Sequence, residues 1–140
     1  MDMSGKYPNT FYRVSVKAII RNNKDEVLVV KAKGSDWSLP GGGIDHGETA
    51  HDALKRELYE EALIKSEFTE RIVDTETMFV VEKDSWLLWI VYEVDVEELE
   101  YGVGEDCDEV AFIDPETLNG HAKITLSRSE KLVYKFASKQ

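Results

Sequence analysis

Glu57, Glu60 and Glu61 are the residues of this chain best suited to chemistry. At i, i+3 and i+4 they fall on one side of a helix, within reach of one hard cation. Like charges crowded this way repel one another, and a bound Mg²⁺ would relieve that repulsion, so a metal site is the leading expectation. Arg56 adjoins the cluster, Glu48 precedes it, and Gly41-Gly42-Gly43 comes before both. The plainer reading makes the carboxylates an exposed helix face and Arg56 a surface ion pair contributing only about 0–1 kcal/mol. The glycine run and the adjoining arginine favour the metal site over that reading.

The elements that must position these residues can be read around them. Phe11 to Ile20 alternates in part and predicts a strand, followed by a turn at Asn22 to Asp25 and a more fully buried strand from Glu26 to Ala32. Pro40 favours extended geometry at Leu39, and the three glycines after it permit a turn that few other residues could make. A helix is predicted from Thr49, with Asp52 three residues on in a capping-box-like arrangement, to about Leu63. Its Ala50, Leu54, Leu58 and Ala62 make one apolar arc, and the carboxylates border that arc as ligands lining a cleft would. Phe68 to Val81 and Trp86 to Val94 predict a hairpin. The loop from Asp95 to Glu109 holds eight carboxylates and no Lys or Arg. A short strand at Val110 to Ile113, a helical turn from Asp114 and a final helix over Ser127 to Phe136 complete the pattern. Two helices about a mixed sheet predict a three-layer α/β/α domain.

The segment from Gly42 to Ile64 resembles the Nudix box, G-x5-E-x7-R-E-U-x-E-E-x-G-U with U aliphatic. Gly42, Glu48, Arg56, Glu57, Leu58, Glu60, Glu61 and Ile64 fill its positions, and Leu63 replaces its second glycine. Trp37-Ser38-Leu39-Pro40-Gly41 also resembles the family's approach to the box. The resemblance implies a Nudix-type α/β/α sandwich with a mixed sheet between helices, spanning residues 1–140 as one domain, with residues 1–9 expected to be a flexible tail. It implies catalytic roles for Arg56, Glu57, Glu60 and Glu61, with Glu57 and Glu61 as principal metal ligands and Glu60 bridging or placing a metal water. It further implies that the Gly41 carbonyl joins the coordination sphere and that Arg56 holds the carboxylates, reaching Glu60 or Asp52. Glu48 reads as structural, with Gly42. A further carboxylate often comes from the loop before the late strand, where spacing favours Asp106 or Glu105. The general base stays open among Glu57, Glu60 and the loop acids. At position 63 a leucine resists the left-handed conformation that glycine would allow, so the helix is expected to run on or exit differently.

The chemistry so implied is Mg²⁺-dependent hydrolysis of a nucleoside diphosphate linked to another moiety, with Mn²⁺ a possible substitute. Subfamily motifs for dinucleotide cofactors, ADP-ribose and diadenosine polyphosphates are absent downstream of the box, which leaves nucleoside triphosphates by elimination. For recognition, Trp37 and Leu39 could pack against a base, and Arg13 or Lys31 could meet a phosphate. Two competing readings are a nucleotide-binding or regulatory module that has lost turnover, favoured only by Leu63, and a purely structural acidic domain.

Composition bounds the partners. Of 140 residues, 28 are acidic and 17 basic, and the formal charge of −11 disfavours a nucleic-acid duplex but not a small phosphorylated substrate bridged by metal. No apolar run approaches the roughly 20 residues that span a membrane, and MDMSGKYPNT lacks the apolar region of a secretory signal. One cysteine, Cys107, permits no internal disulfide and fits a reducing cytoplasm; its acidic neighbours should raise its pKa. A homodimer is possible.

Overall fold

Alternation along the strands decides the layers. In β1 (Arg13–Ile19), Val16 and Ala18 turn to one face and Ile19 to the other. In β2 (Val27–Ala32), Leu28 goes to the first face while Val27 and Val29 go to the second. The first face packs on α1 (Ala50–Ala62) through Ala53, Leu54, Leu58 and Ala62. The second packs on α3 (Arg128–Ala137) through Leu132, Val133, Phe136 and Ala137. Strands therefore lie between α1 and α3, the three-layer arrangement that the pattern of elements predicts. Leu54 and Leu58 are fully enclosed, and truncating such a leucine to alanine costs about 2–5 kcal/mol.

The computed structural model describes residues 11–119 and 128–138. The expected tail at residues 1–9 lies outside them, as does Ser127, where the final helix was expected to begin. The other strands are β3 (Trp37–Ser38), β4 (Gly41–Gly43), β5 (Phe68–Val80), β6 (Ser85–Val96) and β7 (Cys107–Ile113), with a short α2 at Glu116–Asn119. One sheet has the order β4-β1-β6-β5 and the other β3-β2-β7. The four-stranded sheet is mixed: β1 runs parallel to β6, while β4 and β5 are antiparallel to their neighbours. Ser15, Val16 and Lys17 pair with Gly43, Gly42 and Gly41, which fixes β1 against the glycine run.

Two expectations are corrected. Gly41–Gly43 is a strand rather than a turn, and glycine is needed there for close approach. A Cβ on Gly41, at φ +138°, would stand 2.0 Å from the Val16 carbonyl oxygen. At Leu63 the helix does not run on; it ends at Ala62, and Leu63 takes the left-handed conformation at φ 55°, ψ 27°. Its N–H is shared between the carbonyls of Leu58 and Tyr59, and the next N–H, of Ile64, donates to Leu58 O at 3.2 Å. Ile64 is buried, so the exit is fixed by hydrogen bonds and by core packing on its far side.

Candidate active site

The start of α1 is capped by Thr49, whose Oγ1 accepts from Asp52 N at 3.1 Å. Glu48, just before it, accepts Arg56 Nε at 2.8 Å and Nη2 at 2.9 Å through its two oxygens, and Asp45 N at 2.9 Å. This fork-to-carboxylate pairing holds Glu48 down to about 2, well below the ordinary carboxylate value, and makes Arg56 still harder to deprotonate. Arg56 also donates to Gly43 O at 2.9 Å, Glu57 Oε1 at 2.9 Å and Glu60 Oε2 at 3.4 Å. It thus ties the loop, β4 and the helix acids together. Its main partner is Glu48, eight residues earlier, rather than Asp52.

Glu57 and Glu61, one turn apart, lean onto the glycine strand. A Cβ on Gly42 would meet Glu57 Oε1 at 2.5 Å, so the bare backbone is what admits that carboxylate. Glu61 Oε1 accepts Gly41 N at 2.7 Å, and Glu61 is the one buried charged residue among those described. Burial pushes its carboxyl up to about 7, against the Gly41 N–H and the charge of Lys17, which favour the anion. Glu57 is likewise raised by burial, opposed by Arg56. Glu60 projects outward, with 42% of its side chain exposed.

The acidic loop closes the far end of α1. Gly102 N donates to Ala62 O at 2.8 Å and Gly104 N to Glu61 O at 2.9 Å, satisfying carbonyls that a helix end leaves open. A Cβ on Gly104 would lie 1.9 Å from Glu60 O. This return brings Asp106 near enough to Glu61 for its charge to hinder ionisation of Glu61. It also leaves Cys107 buried beside Glu61 and Asp106; burial first, then those charges, raise its thiol to about 11. That is the direction its acidic neighbours predict, and it removes Cys107 as a nucleophile.

The four recognition candidates separate. Arg13 reaches the site: its Nη2 lies 2.6 Å from where a Cβ on Gly43 would stand. Lys31 stands over the Trp37 ring, 5.4 Å from its centroid, and pairs with Glu109 at 3.5 Å, so its charge is engaged on the second sheet. Trp37 is half-buried beneath it. The Leu39 side chain is only 1% exposed and belongs to the core facing α3, which takes it out of contact with a substrate base. Sequence reasoning passed over Lys17. Its ammonium donates to Gly41 O at 3.3 Å and Leu39 O at 3.5 Å, and lies over Trp89, 4.6 Å from the ring centroid. Only the register of β1 against β4 places it there, and no local signal in the sequence carries that register.

Among the described residues no three Asp, Glu, His or Cys side chains converge into a ready-made metal cage. Arg56 holds the Glu57 and Glu60 carboxylates on one side, and Gly41 N–H holds Glu61 on the other. The donor set is nonetheless hard oxygen throughout: two leaning carboxylates, a third outside them, and a Gly41 carbonyl already turned to a cation. That fits Mg²⁺, which keeps several waters and relies on one or two carboxylates plus substrate phosphates rather than an all-protein cage.

The chain is a three-layer α/β/α domain with a carboxylate-bearing helix laid on a glycine strand. The sequence model of the NUDIX domain matches residues 11–136, and the chain belongs to that family. An "RNA pyrophosphohydrolase" of Ruthia magnifica subsp. Calyptogena magnifica is 53% identical over 51 residues, 36% of this chain and 28% of that protein. A protein of the same description from Vibrio atlanticus (strain LGP32) is 49% identical over 51 residues, 36% of this chain and 30% of that one. The aligned stretch spans less than a third of either relative. Among solved structures, the MutT protein of Methanosarcina mazei Go1 superposes with a TM-score of 0.74 at 21% identity, covering 93% of this chain and 95% of that one. The NUDIX domain of Shewanella oneidensis NrtR, complexed with ADP ribose, gives 0.68 at 16% identity, covering 99% and 97%. Both likenesses show the fold. Among the described residues no helix is long and apolar enough to cross a membrane.

Proposed function

We propose that this chain is a divalent-metal-dependent hydrolase of nucleotide-type diphosphate linkages, with nucleoside triphosphates as its leading substrate class. The observation that carries this reading is the convergence of Glu57, Glu61 and the Gly41 carbonyl on one strand edge, braced by Arg56. When bound, Mg²⁺ neutralises phosphate oxygens and activates a water for attack at phosphorus. Glu57 and Glu61 are its principal protein ligands in this reading, with the Gly41 carbonyl beside them and Asp106 the nearest loop acid. Glu60, outermost of the three, would orient or deprotonate the attacking water in this reading. Arg13, beside Gly43, would meet the phosphate chain.

A cleft of about 790 Å³ on the α3 side supports a nucleotide in particular. Met78, Leu87, Trp89 and Leu132 give it an apolar wall suited to a base, and Trp89 also underlies Lys17. The relatives described as RNA pyrophosphohydrolases align over 51 residues of this chain in the first two cases, and a formal charge of −11 works against tracking a nucleic-acid backbone. The reading of a module without turnover rested on Leu63. Leu63 takes the very conformation that glycine supplies in the box, so that support falls away.

The test is release of phosphate or pyrophosphate with Mg²⁺ across nucleoside triphosphates, nucleoside-diphosphate conjugates and a 5′-triphosphorylated RNA, with products identified. Turnover of a free nucleotide that stops on chelation is the expected result. Turnover of RNA alone would reassign the substrate, and no turnover of any would defeat the enzymatic reading.

A further inference from the structure

A cation is already held at the oxygen-rich edge where the metal is expected. Lys17 sits opposite Gly41 in the β1–β4 register, and its side chain lies on the Trp89 side of β1 with its end at the glycine strand. The Nζ donates to the carbonyls of Gly41 and Leu39; burial lowers its pKa, and the charges of Glu61 and Glu57 oppose that loss. Trp89 lies beneath it, so this ammonium is half-buried on a ring face rather than free in water. Few other cations serve these groups: Arg56 is spent on Glu48 and reaches Glu57 only from the loop side. Without Lys17, the Gly41 and Leu39 carbonyls would lose their one side-chain cation, and Glu61 would keep only the Gly41 N–H. Such an arrangement is costly in a partly desolvated site.

We propose that Lys17 is a positioning residue that stands in for the metal: its ammonium holds the Gly41 carbonyl in the metal-free protein, and competes with the ion for the edge that this carbonyl shares with Glu57 and Glu61. The inference rests on the metal reading given above. It assigns to Lys17 a linkage: whatever the ammonium contributes to the empty site, the arriving ion must displace. The competing view is that the lysine stem merely packs on Trp89, with the charge incidental. Methionine at 17 would preserve that packing and remove the charge.

The test is a calorimetric titration of Mn²⁺ into chelator-stripped full-length protein, comparing wild type, Lys17→Met and Lys17→Arg. Lys17→Met should bind Mn²⁺ about tenfold more tightly, in keeping with the removal of one unit charge beside a divalent ion. Its Mn²⁺-induced rise in Tm should also exceed that of the wild type, while Lys17→Arg should stay near the wild type. Equal or weaker affinity in Lys17→Met would overturn the inference and leave the metal reading standing. Absence of Mn²⁺ binding in wild type and variants alike would overturn both. Lys17→Gln repeats the comparison if the methionine variant does not fold.

Discussion

Of the acids around α1, Glu48 holds its charge most firmly, because Arg56 takes both of its oxygens and Asp45 adds a backbone N–H. Its folded-state value of about 2 lies below that of the unfolded chain, so the stability it contributes is present above the ordinary carboxylate range and is lost as pH falls through about 2. Glu48→Gln should therefore be less stable than wild type near neutrality, with the gap narrowing as pH drops from about 5 towards 2. Urea unfolding at a series of pH values measures this, and a gap independent of pH would mean that the charge of Glu48 is not what Arg56 holds. The two kinds of residue in this site differed in how legible they were. Glu57 and Glu61 could be read directly, because helical geometry alone fixes their separation. Lys17 could not, since its place depends on which residue of β1 lies opposite Gly41. Leu39 misled for a related reason: proximity in sequence to the glycine run says nothing about which face its side chain takes, and it faces the core.

At the scale of elements, the ends of α1 matter more than its length. At the N-terminal end Thr49 caps the helix as expected, while Arg56 reaches Glu60 but is bound chiefly to Glu48 in the loop, a partner the sequence reading did not name. The C-terminal end departs from expectation, because Leu63 occupies a left-handed position that costs a non-glycine residue roughly 1–2 kcal/mol. The buried Ile64 and the N–H groups of Gly102 and Gly104, donating to the last carbonyls, hold it there. Replacing Leu63 by glycine should then relieve strain, offset in part by the greater freedom of glycine in the unfolded chain, for a net gain of up to about 1 kcal/mol. A Tm of Leu63→Gly equal to or below that of the wild type would show that contacts of the leucine, such as the one over Gly102, outweigh the strain. The acidic loop was read as a source of one ligand. Its glycines turn out to dock it on the helix end, a role visible only once the chain returns in three dimensions.

For the molecule as a whole, the three layers were foreseeable from the order of elements and from the apolar arcs of α1 and the final helix. The division of the strands into sheets of four and three, and the parallel contact of β1 with β6, depend on long-range pairing that alternation alone does not encode. That pairing makes the site, since it sets β4 beside β1 and under α1. The strongly acidic chain concentrates its useful positive charge at Arg13, Lys17 and Arg56, where phosphate and metal would meet. The most direct test of this account is the turnover number of Glu61→Gln on the best substrate of the nucleotide panel, at saturating Mg²⁺. Glutamine can keep the hydrogen bond from Gly41 N–H, so the fold should survive, with Tm close to that of the wild type. The account predicts a fall in turnover of at least about a hundredfold, as expected when a ligand to a catalytic metal loses its charge. Turnover equal to that of the wild type would contradict it.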